Sequence, residues 1–230
     1  MNEPSTIPVK IIVVGSMNVG KTSLVAKYAT GKSPVKTETT KTASYIERIK
    51  NVNGMKFEIK LWDTAGQEKY KCLTKLFIKD AKIALLVYAI DNEQSFKDLD
   101  GWLEIIKNTN QDLTIFGIAA NKSDLASEKT IPDEKGKEYA KKIGAEWKLT
   151  SAISEGRGIE EFIDDLFIKY HNYNFKNDDG DSGSLNSITL SNEASSRTVK
   201  KGCCGGKTTE NAVNNNNNKK KKRNSKKSKK

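Results

Sequence analysis

Cysteine and histidine are scarce in this sequence, whose 230 residues include three cysteines and one histidine. Cys203 and Cys204 are adjacent and Cys72 stands alone, so they do not form the pattern of a disulfide framework. A reducing compartment fits this cysteine usage. Because His171 is the single histidine, a metal site with several histidine ligands is excluded, and histidine catalysis in the core is not expected.

Long apolar segments are also missing. No stretch approaches the roughly 20 apolar residues that a membrane-spanning helix requires. The first ten residues, MNEPSTIPVK, lack the charged and apolar regions of a signal peptide. These absences favour a cytoplasmic protein, and the length fits one domain of ordinary size followed by a tail.

Positive charge is concentrated at one end of the chain. Residues 1–170 contain 26 Lys and Arg and 24 Asp and Glu, whereas residues 171–230 contain 14 and 5. Of the net charge of +11, the tail therefore contributes +9 and the rest of the chain +2. A cationic tail favours binding to anionic lipid or to nucleic acid.

Between residues 8 and 171, the hydrophobic pattern predicts alternating strands and helices. The strands are expected at 9–14, 44–50, 56–62, 83–90, 115–120 and 146–149. The helices are expected at 21–30, 68–80, 132–143, 158–170 and a segment with Phe96, Leu99, Leu103 and Ile106 on one face. Asn53-Gly54 predicts a hairpin. The pattern therefore predicts an α/β fold with a six-stranded, mostly parallel sheet, one antiparallel strand and about five helices.

A phosphate-binding motif lies between the first strand and the first helix. It reads Gly15-Ser16-Met17-Asn18-Val19-Gly20-Lys21-Thr22 and is followed by Ser23. Its backbone N–H groups can surround a phosphate, and the two glycines permit the close approach. We expect Lys21 to reach the β- and γ-phosphates and the Thr22 hydroxyl to bind Mg²⁺.

A second motif, Asn121-Lys122-Ser123-Asp124, follows the predicted strand 115–120. The Asp124 carboxylate can accept two hydrogen bonds from guanine, at N1–H and the exocyclic amine, whereas adenine has no such pair of donors. Asn121 and Lys122 are expected to brace this loop, and the aliphatic part of Lys122 can cover the base. The two motifs together favour a guanine nucleotide over an adenine nucleotide.

A third motif reads Trp62-Asp63-Thr64-Ala65-Gly66-Gln67-Glu68. It is similar to the corresponding motif of Rab proteins, and with the other two it makes residues 8–171 resemble the P-loop NTPase G domain of Ras-superfamily GTPases, closest to the Rab branch. The resemblance implies that Asp63 orders the Mg²⁺ shell through water. It also implies that the Gly66 N–H contacts the γ-phosphate and that Gln67 orients the attacking water.

The resemblance further implies a threonine in the first switch segment. Thr40 lies 18 residues after Thr22 and 23 before Asp63, which matches Rab spacing, and would complete the Mg²⁺ shell and touch the γ-phosphate. The nearby alternatives are Thr37, Thr39 and Thr42. After the last strand, Thr150-Ser151-Ala152 resembles the family's remaining base-binding motif, in which the Ala N–H donates to guanine O6.

The function that the resemblance implies is a small GTPase, a switch that hydrolyses GTP to GDP and phosphate with Mg²⁺ and at a slow intrinsic rate. Gln67, Lys21 and Thr40 would be its catalytic residues. It would act in vesicle and membrane trafficking, and its switch regions would bind an exchange factor, a GTPase-activating protein and effectors. Ser33 stands where relatives have an aromatic residue, and the first switch departs from the family pattern. A guanine-nucleotide-binding module with little or no hydrolysis therefore stays open.

The tail, 172–230, is polar and poor in aromatic residues, so it is expected to be disordered. Cys203-Cys204 resembles a prenylated Rab ending, but 26 residues follow it, so lipidation and an inert pair both stay open. Residues 219–230 hold nine basic groups, which would hold the protein on the cytosolic face of a membrane. A solvated tail or a nuclear-localisation signal is the alternative. No nucleic-acid partner is expected, because the core lacks a basic excess.

Overall fold

In the computed structural model, the described residues are 6–34, 40, 43–64, 71–113, 115–153, 158–175, 191–193 and 200–201. Six strands form the central sheet. They are β1 (Ile7–Val14), β2 (Ser44–Val52), β3 (Met55–Asp63), β4 (Ile83–Ala89), β5 (Ile115–Asn121) and β6 (Glu146–Leu149). Their order across the sheet is β6-β5-β4-β1-β3-β2, with β2 antiparallel to β3 and the other pairs parallel. The predicted fold class is confirmed.

The hairpin between β2 and β3 turns at the predicted dipeptide. Asn53 and Gly54 have φ angles of 49° and 76°, the left-handed pair that a tight two-residue hairpin turn requires. Because the turn determines the register, Val52 pairs with Met55, and Tyr45 pairs with Trp62 farther along the strands.

Six α-helices lie within the described ranges. They are α1 (Lys21–Thr30), α2 (Lys71–Ile78), α3 (Glu93–Lys97), α4 (Leu99–Thr109), α5 (Asp133–Ile143) and α6 (Gly158–Phe175), and a 3-10 helix covers Ser123–Glu128. The number exceeds the expected five because the helix around Phe96 breaks at Asp98, between α3 and α4. Helix α6 continues beyond Tyr170, since the rings of His171 and Phe175 pack against Phe57.

The tail contributes two short strands to the described structure. Strands β7 (Ser191–Glu193) and β8 (Lys200–Lys201) pair antiparallel with the edge strand β2. The rest of the tail after Phe175, including Cys203 and Cys204, falls outside the described residues.

The core covers both faces of the sheet. Every residue of β4 and β5 is buried, as expected for parallel strands with helices on each side. Residues of α1 and α6 pack on one face, and residues of α3, α4 and α5 pack on the other. The carboxyl ends of the parallel strands meet at one edge, where ligands bind in open α/β sheets.

A buried ion pair attaches β2 to α6. The Lys50 side chain is 1% exposed, and its Nζ donates a hydrogen bond to Asp164 Oδ1. Burial raises the pKa of the Asp164 carboxyl, and the Lys50 ammonium opposes that effect. We expect Lys50→Met to lower the free energy of unfolding by about 3 kcal/mol at pH 7, because the largely buried Asp164 carboxylate loses its direct cationic partner.

Urea unfolding at fixed GDP and Mg²⁺ concentrations measures this loss. In Lys50→Met, the pKa of the Asp164 carboxyl in the folded state stays above its value in the unfolded state. Lowering the pH therefore protonates this carboxyl and reduces the loss of stability. Lys60→Met is the control, since Lys60 is 32% exposed and pairs with Glu47 and Glu58 at the surface; its loss should stay below about 1 kcal/mol. Equal losses in both variants would contradict the assignment.

Candidate nucleotide-binding site

The predicted site residues come together at the carboxyl edge of the sheet. The loop 15–20 follows β1, Asp63 ends β3, Asn121 ends β5, and Thr150 follows β6. Four separate stretches of sequence therefore meet where parallel strands end, in the position expected for a ligand site.

The loop after β1 depends on its two glycines. Gly15 has φ 148°, and a Cβ there would lie 2.2 Å from the Val87 carbonyl oxygen. Gly20 has φ 91°, and a Cβ there would lie 2.4 Å from Asn121 Nδ2. Asn18 also has a positive φ, 62°. The backbone thus curls tightly against β4 and β5 before α1 begins at Lys21.

The loop leads into the positive end of α1. No acidic residue occupies the first turn of this helix, which contains Lys21, Thr22 and Ser23, so its dipole is not neutralised there. Met17 is 45% exposed, whereas Val19 is fully buried. A loop of backbone N–H groups at a helix N-terminus suits an anionic ligand.

Lys21 brings a buried cation to this loop. Its side chain is 5% exposed, and its Nζ donates a hydrogen bond to the Ser16 carbonyl at 2.9 Å. Burial lowers the pKa of Lys21 to about 8, and the Asp63 carboxylate opposes the shift. A bound phosphate would stabilise the ammonium, which has been removed from water.

Thr22, Thr40 and Asp63 form a cluster of oxygen atoms beside Lys21. Thr22 Oγ1 lies 2.5 Å from Thr40 Oγ1 and donates to Asp63 Oδ2 at 2.7 Å. Of the four candidate threonines, Thr40 is therefore in contact with Thr22, while Thr37, Thr39 and Thr42 lie outside the described residues. The family resemblance had suggested this choice through the spacing of Thr40 from Thr22 and Asp63.

The cluster fits a magnesium ion. Asp63 is 1% exposed, and among the described residues its Oδ1 is a buried oxygen without a hydrogen-bond partner. Burial raises the pKa of Asp63, against opposing effects of the Thr22 hydroxyl and the Lys21 ammonium. Hydroxyl and carboxylate oxygens are the ligands that Mg²⁺ prefers, so a cation here would satisfy the unpaired oxygen.

Asn121 joins this phosphate side of the site to the loop after β5. Its Nδ2 donates to the Val19 carbonyl at 2.7 Å, and its Oδ1 accepts from Thr150 Oγ1 at 3.3 Å. The side chain is 1% exposed. Asn121 therefore connects both loops from the interior, whereas the sequence pattern had predicted only that it braces its own loop.

The residues predicted to contact a base lie together on the other side of Asn121. Lys122 adopts φ 64°, and its Nζ lies 3.1 Å from Asp91 Oδ2. The Asp124 carboxylate accepts a hydrogen bond from Ser151 Oγ. Ala152 is buried, 5% exposed. The 3-10 helix that follows Lys122 was not predicted from the sequence.

The segment after α1 also reaches this part of the site. Ser33 Oγ donates to the Ile153 carbonyl at 2.9 Å, and the Ile153 N–H donates to Ser151 Oγ at 3.1 Å. Ser33 therefore lies beside the loop 150–153, close to the predicted base-binding residues, although its hydroxyl offers no stacking surface.

Several contacts in and near the site were not predicted from the sequence. Asp91 pairs with Lys122, and Asp98 pairs with Ser16; no periodic signal links residues so far apart. The aromatic cluster formed by Tyr45, Trp62 and Phe77 was also missed, with ring centroids 4.6 Å and 5.4 Å from Trp62. The hairpin register set by Asn53-Gly54 could have revealed the Tyr45–Trp62 part of it.

Some of the predicted functional residues are not among the residues that the structure describes. Gly66 and Gln67 fall outside the described residues, as do both cysteines of the tail. Within the described ranges, each helix is too short or too polar to cross a bilayer.

Comparison with known proteins agrees with this geometry. Residues 10–172 match the Ras family. The chain is similar to Ras-related protein Rab-21 of Geodia cydonium, with 36% identity over 162 residues that cover 70% of each chain. Ras-related protein Rab-21 of Homo sapiens is 35% identical over 157 residues, 68% of this chain and 69% of the relative. Ras-related protein RabJ of Dictyostelium discoideum is 34% identical over 171 residues, 73% and 66% respectively.

Proposed function

Since this chain belongs to the Ras family of small GTPases, we propose that it is a Rab-type switch that binds GTP and GDP with Mg²⁺, hydrolyses GTP and acts in membrane trafficking. The observation that carries this proposal is the convergence of three groups at one edge of the sheet. They are the buried Lys21 ammonium, the Thr22–Thr40–Asp63 oxygen cluster and the Asn121–Asp124 loop.

The phosphates would bind along the loop 15–20 and the first turn of α1. Lys21 would contact the β- and γ-phosphates, since its ammonium is buried beside the loop. The Thr22 and Thr40 hydroxyls would hold Mg²⁺ directly, and Asp63 would hold it through water. The ion supplies charge neutralisation on the phosphate oxygens.

The base would be selected by Asp124 and the loop after β6. The Asp124 carboxylate would accept from guanine N1–H and the exocyclic amine, while the Ala152 N–H would donate to O6. Ser151 donates to the same carboxylate, which supports its orientation. Adenine lacks this donor pair, so the site would discriminate against ATP.

Hydrolysis would depend on Gln67, Lys21 and Thr40. Gln67 would orient the attacking water, and the Gly66 N–H would contact the γ-phosphate; both roles rest on the family resemblance. Phosphoryl transfer needs little from the protein besides positioning and charge stabilisation, so the intrinsic rate would be slow.

The γ-phosphate would control the segments around Thr40 and after Asp63, and so which partners bind. The contact between Thr40 and Thr22 supports such a coupling, because Thr22 would hold Mg²⁺ beside the phosphates. The aromatic cluster of Tyr45, Trp62 and Phe77 lies on β2, β3 and α2. It suits an exchange factor, a GTPase-activating protein or an effector, because aromatic residues are enriched at interfaces.

The domain arrangement would be a G domain over residues 8–171 and a tail over residues 172–230. The nine basic groups of residues 219–230 would attract anionic lipid, at about 1 kcal/mol per residue near the surface. This would hold the protein peripherally on a cytosolic membrane face, with or without lipid on Cys203 and Cys204.

Single-turnover hydrolysis of GTP with Mg²⁺ tests the catalytic part of the proposal. We expect slow phosphate release by the wild type and at least about a tenfold slower release by Gln67→Leu, since the attacking water loses its positioning group. GTP affinity should stay unchanged. Gln111→Leu is the control, because Gln111 is exposed in the turn before β5.

Equal and negligible rates for the wild type and Gln67→Leu would favour the second candidate, a guanine-nucleotide-binding module without hydrolysis. The absence of guanine-nucleotide binding altogether would remove both candidates.

A further inference from the structure

A hydrogen bond connects the phosphate loop to the break between α3 and α4. Ser16 Oγ donates to Asp98 Oδ2 at 2.6 Å, across 82 residues of sequence. The second carboxylate oxygen of Asp98 accepts from Gln94 Nε2 at 2.8 Å. Hydrogen bonds to an ionised acceptor are about twice as strong as neutral ones.

The Asp98 carboxylate makes no cap bond to α4, although Asp98 is the residue before the first turn of that helix. Its backbone is helical, with φ −68° and ψ −14°, whereas a residue that caps a helix with its side chain usually has an extended backbone. The carboxylate contacts Ser16 and Gln94 instead.

The backbone of Asp98 is held on both sides. Its N–H donates to the Gln94 carbonyl at 2.9 Å, and its carbonyl accepts from the Trp102 N–H at 3.2 Å. Trp102 and Leu99 are buried in the core. The start of α3 is attached to the end of β4, because the Ala89 N–H donates to Ser95 Oγ at 3.1 Å. The carboxylate therefore projects from a rigid part of the fold.

Ser16 is consequently fixed by two groups. Lys21 holds its carbonyl and Asp98 holds its hydroxyl, while the preceding Gly15 lies tightly against the Val87 carbonyl. Ser16 begins the run of backbone N–H groups that faces the proposed phosphate site, so its position sets the direction of the groups that follow.

We propose that Asp98 is a positioning residue for the phosphate loop and acts through the Ser16 hydroxyl to slow nucleotide release. This inference rests on the proposed guanine-nucleotide binding. Removing Asp98 should speed nucleotide release, although its negative charge repels the phosphates. Because that repulsion favours release, Asp98 can slow release only through its bond to Ser16.

The test is the dissociation rate of fluorescent GDP from the full chain with Mg²⁺, measured by displacement with excess GDP. Ser16→Ala and Asp98→Ala should each accelerate release about 5- to 20-fold, the range expected for one partly exposed hydrogen bond to a charged group. The double variant should release GDP no faster than the faster single variant, because both substitutions remove the same bond. Ser16→Thr keeps a hydroxyl and should stay within about twofold of the wild type.

Asp100→Ala is the matched control, since Asp100 lies on the same helix and bonds to the Tyr139 hydroxyl at 2.8 Å; it should leave the release rate unchanged. Unfolding midpoints of the GDP-bound variants separate positioning from a general loss of stability. Three results would each overturn the inference: an unchanged rate in Ser16→Ala, additive effects in the double variant, or slower release from Asp98→Ala. If Asp98→Ala does not fold, the comparison of Ser16→Ala with Ser16→Thr decides alone. A wild type that binds no GDP would refute the proposed function instead.

Discussion

Asp124→Asn is expected to weaken GDP binding by about a thousandfold and to create a preference for xanthosine diphosphate. A carboxylate accepts from both guanine N1–H and the exocyclic amine, whereas an asparagine amide presents one acceptor and one donor. The amide oxygen would still accept from N1–H, but the amide donor would face the guanine amine and leave these two donors unpaired. One charge-assisted bond, at about 1.5–3 kcal/mol, is lost, the other becomes neutral, and the unpaired donors cost about 1–3 kcal/mol more, which together account for the size of the effect.

Xanthine carries a carbonyl oxygen in place of the amine and keeps N1–H, so it matches the asparagine amide. Calorimetry of wild type and Asp124→Asn with GDP, xanthosine diphosphate and ADP measures this exchange of specificity. Asp112→Asn is the control, because Asp112 is an exposed acid in the turn before β5. Unchanged GDP affinity in Asp124→Asn would show that another residue reads the base.

Lys21→Met is expected to have two opposite effects. It should weaken nucleotide binding by about a thousandfold or more, because the buried ammonium is the cation beside the phosphate loop. It should also stabilise the nucleotide-free protein. Burial lowers the pKa of Lys21 from 10.5 to about 8, which corresponds to about 3 kcal/mol of destabilisation at pH 7.

The pH dependence of stability distinguishes the removal of a buried charge from a gain in hydrophobic burial by the methionine side chain. Between pH 8 and 10.5 the unfolded chain keeps a proton on Lys21 that the folded chain releases, so wild-type stability should rise with pH in this window. The advantage of Lys21→Met should shrink accordingly. Urea unfolding of nucleotide-free protein at pH 7 and pH 9.5 measures both effects. Lys32→Met, at an exposed position just after α1, should change neither. Lower stability of nucleotide-free Lys21→Met at pH 7 would contradict the prediction.

In Lys21→Met, the gain in stability of the nucleotide-free protein and the loss of nucleotide affinity have one physical origin. A cation that is kept dehydrated for a phosphate destabilises the empty site and stabilises the occupied one. Asp63 fits the same description with the opposite charge, since burial raises its pKa and one of its oxygens lacks a hydrogen-bond partner among the described residues. The empty site is thus destabilised by both residues, and the ligands are expected to compensate for both.

Much of the fold followed from local pattern. The strand–loop–helix unit around Gly15–Thr22 and the hairpin at Asn53-Gly54 were predicted because glycine spacing and hydrophobic period act over a few residues. The bounds of α1 and β6 agree with the prediction, and the ends of the other strands agree with it or differ by at most two residues. The break at Asp98 was missed, because the apolar stripe from Phe96 to Ile106 continues across it, and the glycine of this stretch, Gly101, lies within α4 and not at the break.

The amino-acid sequence by itself determined the alternation that makes a parallel sheet and supplied the groups of the proposed chemistry: backbone donors and a lysine for phosphates, and an aspartate for guanine. Only the tertiary structure decided that Asn121 meets Val19, Lys50 meets Asp164 and Ser16 meets Asp98. These partners are 82 to 114 residues apart. Composition and periodicity report on neighbours along the chain, whereas such contacts depend on how the whole sheet orders its strands and on which side chains burial deprives of water.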